Sequence, residues 1–156
     1  MHFLISVLAV GDNKDEAKNA AYSTMNDLVD WGEFDYFAES AEDSRWDECW
    51  KPVMLNSAQG QKIVASCLEQ QFTDFMQAMA KIHEMISKYS DEQIFNEDFD
   101  RTTDEHLSRY QFGAASHHAV CNYLYGYDGD QIVNQAELER YDSTRTLWVV
   151  QVDCHN

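Results

Sequence analysis

The segment that most constrains the fold is an uninterrupted helical pattern over residues 57–89. Its apolar side chains recur every three or four residues, so they share one face of a helix of about eight turns. These side chains are Ile63, Val64, Cys67, Leu68, Phe72, Phe75, Met76, Met79, Ile82, Met85, Ile86 and Tyr89. Ser57 stands where a helix N-cap is expected. The pattern predicts one long helix whose stripe, methionines included, packs in the core. The alternative is a partner surface, since the Met-rich face of Met76, Met79 and Met85 is of an adaptable kind.

Strands are predicted on either side of the helical region. Residues 3–10 and 146–152 are apolar and rich in β-branched side chains, which is typical of buried strands. Residues 14–30 carry a narrower helical stripe, with Asp12 or Asn13 as its N-cap. Further short elements are expected as strands at 33–39, 52–55, 109–112 and 120–127 and as helices beginning at Ser90 and Asn134.

This order of elements predicts the α+β class. Two layers, a mainly antiparallel sheet and one long central helix packed on it, would bury both apolar faces economically. A ferredoxin-like βαβ start is one variant of this two-layer sandwich. The 156 residues include only one Pro and six Gly, which leaves little material for a flexible linker. Residues 1–156 are therefore predicted to form a single domain.

Charge dominates the composition, because 28 Asp and Glu stand against 11 Lys and Arg, for a formal net charge of -17. Two windows, residues 27–48 and 91–105, hold 16 of the 28 acids. The first contains Asp27, Asp30, Glu33, Asp35, Glu39, Glu42, Asp43, Asp47 and Glu48. The second contains Asp91, Glu92, Glu97, Asp98, Asp100, Asp104 and Glu105. Such a chain repels nucleic acid and anionic membranes and attracts a basic surface.

Carboxylates at this density approximate duplex DNA, which carries one negative charge per ~1.7 Å of its axis. We therefore expect a non-enzymatic inhibitor that mimics DNA and binds the basic nucleic-acid-binding surface of another protein through the two windows. Trp46 is expected to anchor that interface, because Trp is favoured at binding hot spots. The plainer interpretation is that the windows are solvated faces and that Trp46 is a core aromatic.

The sequence contains none of the motifs GxSxG, HExxH and GxGxxG and no P-loop, so no enzyme class and no cofactor is predicted. The only candidate metal ligands are weak ones for zinc, His117, His118, Cys121 and Cys154. Four cysteines without a CxxC motif fit reduced thiols in a cytoplasmic protein. No apolar run approaches the ~18 residues that cross a bilayer.

Ligand binding is the alternative class of function. A pocket lined by Tyr110, Tyr123, Tyr125 and the pair His117 and His118 would belong to a small-molecule- or nucleotide-binding protein, or to an enzyme of unrecognised type. Concavity discriminates between the two classes. A deep aromatic pocket favours a ligand, and a convex acidic surface favours the inhibitor. A homodimer through an uncovered apolar face is also left open.

Three segments resemble those of small acidic proteins encoded by bacteriophages and mobile elements. They are FLISVLAV at residues 3–10, NSAQGQ at 56–61 and LWVVQVDCH at 147–155. The resemblance is one of layout and brings no catalytic residue with it. Some proteins of this kind act as anti-restriction or anti-CRISPR inhibitors that mimic DNA. The resemblance therefore implies a phage-encoded antagonist of a host defence protein, acting in the host cytoplasm.

Overall fold

The computed structural model describes residues 2–96, 122–141 and 144–155. Backbone contacts divide the chain into two units, Met1–Glu69 with Asn122–Asn156, and Gln70–Cys121. The first unit contains the sheet and the acidic window 27–48. The predicted strand at 109–112 lies outside the described residues, as do residues 120 and 121 of the strand predicted at 120–127.

Two long strands form the centre of the first unit. Strand β1 (His2–Val10) and strand β5 (Leu147–His155) pair antiparallel over nine residues each, from His2 opposite His155 to Val10 opposite Leu147. Both correspond to the apolar segments in which strands were predicted. Because successive side chains point to opposite faces, strands that are apolar throughout require cover on both faces of the sheet.

Three further strands of two residues each belong to the sheet within the described residues. Strand β2 (Tyr36–Phe37) and strand β3 (Val53–Met54) pair antiparallel with β5, and strand β4 (Leu124–Tyr125) pairs parallel with β1. The order is β2-β5-β1-β4, with β3 also on β5. The sheet is therefore mixed and mainly antiparallel, as the sequence predicts.

The outer edge of β5 is covered by the chain between β2 and β3 as well as by the strands themselves. The backbone N–H of Ala38 donates to the carbonyl of Asp153 at 2.9 Å, and that of Trp50 donates to the carbonyl of Gln151 at 3.0 Å. Trp50 has a φ of 57°, in the left-handed region that a bulky residue rarely adopts. Its indole N–H donates to the Ala38 carbonyl at 2.6 Å, which holds this strained corner in place.

Helix α1 (Lys14–Asp30) connects β1 with β2. Its N-cap is Asn13, whose side-chain oxygen accepts from the backbone N–H groups of Asp15 and Glu16 at 3.0 Å each. Since β1 and β2 both run antiparallel to β5, they are parallel to each other with β5 between them. This is the split βαβ arrangement of a ferredoxin-like start. The parallel pairing of β4 with β1 departs from that fold.

Each face of the sheet has its own apolar cluster. On one face Ala21 and Met25 of α1 pack with Val7 and Val150. On the other face the first turns of helix α2 (Ala58–Lys88) supply Val64 and Cys67, which pack with Leu8, Leu124, Ile132 and Val149. The α+β class and the long helix against the sheet are confirmed. The number of layers differs from two, because α1 packs on the face of the sheet opposite to α2.

The second unit, within the described residues, consists of the rest of α2 and helix α3 (Asp91–Asn96). The helix predicted to begin at Ser90 is present and starts with a capping box: the N–H of Gln93 donates to Ser90 Oγ at 3.2 Å, and the N–H of Ser90 donates to Gln93 Oε1 at 3.0 Å. No helix among residues 2–96, 122–141 and 144–155 combines the length and the apolar character that crossing a bilayer requires.

The apolar stripe of α2 is only partly buried, which corrects the prediction that it packs in the core throughout. Met85 is fully buried, but Met76 is 50% exposed. Other large apolar side chains of the stripe are exposed as well, namely Phe72, Phe75 and Ile86. The helical period places all of these residues on one broad side of α2, but it does not reveal which part of that side another segment covers.

We expect Gly60→Ala to destabilise the protein, although Ala favours a helix over Gly by about 1 kcal/mol. A Cβ at position 60 would overlap the carbonyl oxygen of Met54 and lie 3.0 Å from that of Leu55. The Met54 oxygen is held by the N–H and hydroxyl of Ser57. Overpacking costs ~1–3 kcal/mol, so the net loss should be about 1 kcal/mol in urea denaturation.

The control is Gln59→Ala, an exposed position in the same first turn. This variant gains helix propensity without a clash, so its free energy of unfolding should be unchanged or slightly higher. If Gly60→Ala were as stable as Gln59→Ala, the close approach of the Met54 carbonyl would have no energetic weight.

Candidate functional site

All nine acids of the first window are exposed in the structure. They are Asp27, Asp30, Glu33, Asp35, Glu39, Glu42, Asp43, Asp47 and Glu48. Of the second window, Asp91 and Glu92 are exposed on α3. The remaining predicted residues of that window, Glu97, Asp98, Asp100, Asp104 and Glu105, lie outside the described residues. Trp46 is half-buried and packs against the core cluster on the α1 face, so its indole is not an exposed anchor.

The C-terminal end of α1 concentrates negative charge. Its last turn contains Asp27 and Asp30 and no basic residue. The unpaired carbonyls at a helix C-terminus already carry a partial negative charge, so acids there oppose the helix dipole by roughly 0.3–1 kcal/mol each. A position at which the sequence works against its own local structure is more typical of a functional surface than of a merely solvated one.

The loop at residues 126–131 adds acids to this end of α1. The ring of Trp31 lies over Gly129, where an added Cβ would come within 2.5 Å of Cζ3, and the φ of +82° at Gly129 also favours glycine. Gln131 Nε2 donates to Glu33 Oε2 at 3.4 Å. Asp128 and Asp130 therefore lie on a loop that contacts the C-terminal end of α1.

Asp153 differs from every described acid of the two windows because it is buried, with 2% of its surface exposed. Its Oδ1 lies 2.9 Å from His2 Nδ1. Its Oδ2 accepts from the backbone N–H of Arg45 at 3.0 Å and from the hydroxyl of Ser44 at 3.4 Å. One carboxylate on β5 therefore contacts both β1, through His2, and the loop that contains Ser44 and Arg45. An Asp within an apolar strand was the available sign, since a buried polar group needs partners.

Aromatic rings surround this end of β1 and β5. The rings of His2 and His155, which are opposite each other in the ladder, meet edge to face at 5.1 Å. Tyr36 stacks on His155 at 4.6 Å with its ring inclined by only 11°. His155 Nδ1 also lies 3.6 Å from Asp35 Oδ2. These contacts fix the direction of Tyr36, which remains 52% exposed.

A pocket of about 260 Å³ opens beside this group. It is lined by His2, Tyr36, Phe37, Ala38, Glu39, Asp43 and Asp153. The Ser44 hydroxyl donates to Asp153 and not to His2, so these side chains do not form the relay from serine through histidine to aspartate of a hydrolase. Three carboxylates around one cavity instead favour a cation as its occupant.

The pocket does not coincide with the tyrosines predicted to line one. Tyr125 is 2% exposed and packs edge to face on Phe34 at 5.8 Å, and Tyr123 packs on the cluster of the α2 face. The sequence pattern did not reveal that Tyr125 is a core residue and that Tyr123 packs against the core. Tyr110, His117 and His118 lie outside the described residues.

The zinc prediction gains no support from Cys154. This thiol is 1% exposed in the core, and burial, followed by the nearby Asp153 charge, raises its pKa and disfavours the thiolate that zinc needs. Cys121, like His117 and His118, lies outside the described residues. In the described part of the chain, no group of three or more His, Cys, Asp or Glu is placed to hold a metal ion.

Comparison with known proteins gives one family. A family model described as a domain of unknown function, DUF7995, matches residues 1–156. The chain belongs to this family. No curated protein and no solved structure match this chain. The family description assigns no chemistry, so any functional conclusion rests on the acidic surface and the pocket.

We expect Asp153→Ala to lower the free energy of unfolding by about 3 kcal/mol, because it leaves the buried partners of a charged hydrogen-bond group unsatisfied. Asp35→Ala is the matched control, since Asp35 also faces a histidine but its side chain is 69% exposed. That loss should stay below about 0.5 kcal/mol. Urea denaturation checks both values, and equal losses would contradict the anchoring role of Asp153.

We also expect the thiols of Cys49, Cys67 and Cys154 to resist modification in the native protein. All three are free and buried, and burial is the largest cause that raises the pKa of each. A thiol reagent at pH 8 should leave them unmodified by mass spectrometry until urea unfolds the protein, and then react with all three. Rapid native labelling of any of them would show that this part of the core opens readily.

Proposed function

We propose that the protein is a non-enzymatic binding protein whose acidic surface occupies a basic, nucleic-acid-binding surface of another protein. The observation that carries this proposal is the outward display of all nine acids of the first window. Asp27 and Asp30 lie in the last turn of α1, and the other seven belong to the segment whose backbone is hydrogen-bonded to β5, in contrast to a flexible acidic tail. A fixed array of carboxylates loses little conformational entropy on binding.

Two exposed aromatic residues support an interface at this surface. Trp31 is 63% exposed next to Asp30, and Tyr36 is 52% exposed next to Asp35. Both rings are held in place, Trp31 over Gly129 and Tyr36 on His155. Rigid Trp and Tyr side chains ringed by polar groups are the residues most enriched at binding hot spots. They replace Trp46 as the expected anchors.

Long-range electrostatics supports a basic partner. A formal net charge of -17 accelerates encounter with a positive surface and slows encounter with nucleic acid. Within a Debye length of about 10 Å at 0.1 M salt, the acids compete with phosphates for the same Lys and Arg side chains. Direct nucleic-acid binding and membrane binding are not part of this proposal.

The class of target follows from the resemblance to small acidic phage proteins. We propose a host defence protein that binds DNA or RNA, such as a restriction or CRISPR component, and action in the cytoplasm. Three free buried thiols are consistent with a reducing compartment.

Charge reversal within the first window tests the proposal. The variant carries Asp30→Lys, Glu42→Lys and Asp47→Lys, three exposed side chains, and each reversal adds two charges, so the net charge changes from -17 to -11. The immobilised protein is incubated with bacterial lysate at 50 and 300 mM salt. We expect it to retain nucleic-acid-binding proteins that duplex DNA displaces. Three lost pairs at ~0.5–1 kcal/mol each should reduce retention by about tenfold or more.

A charge-matched control separates position from net charge. The variant with Glu69→Lys, Glu84→Lys and Glu139→Lys also has a net charge of -11, but all three positions lie outside the two windows. It should retain the same proteins within about threefold, and circular dichroism should show both variants folded. Equal losses in the two variants, or retention that DNA does not displace, would refute the proposed interface.

A further inference from the structure

The pocket beside β2 has the electrostatics of a cation site. The described residues that form its walls include the carboxylates of Glu39, Asp43 and Asp153 but neither Lys nor Arg. An anionic ligand would meet three negative groups at close range, which Coulomb repulsion disfavours. At about 260 Å³, the cavity is below the ~300–1,000 Å³ of pockets for drug-sized ligands. The dimensions suit one side chain or a small organic cation.

The three carboxylates have different roles in this pocket. Asp153 is 2% exposed, and both of its oxygens have protein partners, so its carboxylate is held in a fixed position in the pocket wall. Asp43 and Glu39 are exposed at the rim. Asp43 Oδ2 accepts from the Ser40 hydroxyl at 2.6 Å, which orients this carboxylate. The Glu39 carboxylate makes no hydrogen bond or ion pair with the described residues and is available to a ligand.

Aromatic side chains complete the walls. Phe37 meets Tyr22 edge to face at 5.3 Å and Trp50 at 5.9 Å, and Tyr36 is stacked on His155. These rings are therefore held by the fold before any ligand arrives. An aromatic wall beside carboxylates binds a flat cation well, because the cation attracts the ring and its N–H groups donate to the carboxylates.

The chemistry of the walls selects among cations. A divalent metal needs several ligands at short range, and no group of three metal-ligating residues is placed for this in residues 2–96, 122–141 and 144–155. An ammonium is a compact point charge, whereas a guanidinium is planar, presents a rigid fork of five donors and stacks on aromatic rings. Two rim carboxylates and two fixed rings match the guanidinium.

We propose that this pocket is a receptor for the guanidinium group of arginine. The guanidinium stacks along the aromatic wall and donates to Glu39 and Asp43. The fixed carboxylate of Asp153 adds a negative charge to the wall. This inference rests on the proposed function in one respect, because a basic partner protein is taken as the source of the arginine. Free arginine derivatives share the same chemistry, so the test has separate arms for the two sources.

The first arm uses N-acetyl-arginine methylamide as the probe, with the citrulline counterpart as a neutral isostere. Titration into the ¹⁵N-labelled protein should shift the backbone amides of Ala38 and Glu39 and the ring resonances of His2. The citrulline compound should bind at least about tenfold more weakly, since it keeps the shape and loses the charge. Equal shifts with both compounds, or no shifts with either, would overturn the arginine receptor.

Matched variants locate the site. Glu39→Gln with Asp43→Asn keeps the size of both exposed side chains and should weaken the arginine probe at least about fivefold. Glu42→Gln removes a neighbouring exposed acid that does not line the pocket, and binding should stay within about twofold. Equal weakening by both changes would mean that the probe senses only general negative charge, which would overturn the inference.

The second arm tests whether the pocket binds an arginine that is part of a polypeptide in preference to a free arginine derivative. A peptide containing one arginine flanked by glycines, and the same peptide with lysine, are titrated under identical conditions. Preference for the arginine peptide supports capture of a partner side chain, and a free arginine derivative that outcompetes the peptide assigns the pocket to a small molecule instead. Failure of the arginine probe, with DNA-displaced retention of partners intact, would remove this pocket and leave the proposed acidic interface standing.

Discussion

The antiparallel ladder between β1 and β5 is the interaction on which the rest of the structure depends. Each of the three short strands attaches to one of these two, and α1 and the first turns of α2 pack on their opposite faces. Fully buried residues such as Leu8 and Val149 contribute about 1.5–3 kcal/mol each when removed from water. A two-residue strand has no independent stability, so β2, β3 and β4 exist because the ladder presents hydrogen-bonding edges to them.

Strand β5 has a double role, since one edge pairs with β1 and the other carries the acidic segment. The backbone of this segment returns to β5 at Ala38 and again at Trp50. Asp153 adds a side-chain tie to the loop between these points. The same strand thus determines both the hydrophobic core and the position of the charges, and the acids project from a surface of defined shape.

Local features were predictable from the sequence, whereas long-range ones were not. The extent of α1, the caps at Asn13 and Ser90 and the two long strands follow from periodicity and hydrogen-bonding chemistry within a few residues. The partner of each strand depends on residues more than ninety positions away, as does the contact between His2 and Asp153. Periodicity identifies the apolar side of α2 but not which turns are covered. The exposure of Met76 therefore could not be read from the pattern. The pocket combines segments from three parts of the chain, so no local motif in the sequence could predict it.

The ladder also has a consequence for how the chain acquires its structure during synthesis. Even Val10 and Leu147, the paired residues of β1 and β5 that are nearest in sequence, are separated by most of the chain. At ~5–20 residues per second, the ribosome needs on the order of ten seconds to make the intervening residues. Throughout that interval the apolar strand β1 lacks its central partner, and closing so large a loop is entropically slow. The nascent chain therefore depends on its own negative charge, or on a chaperone, to keep β1 from associating with other chains.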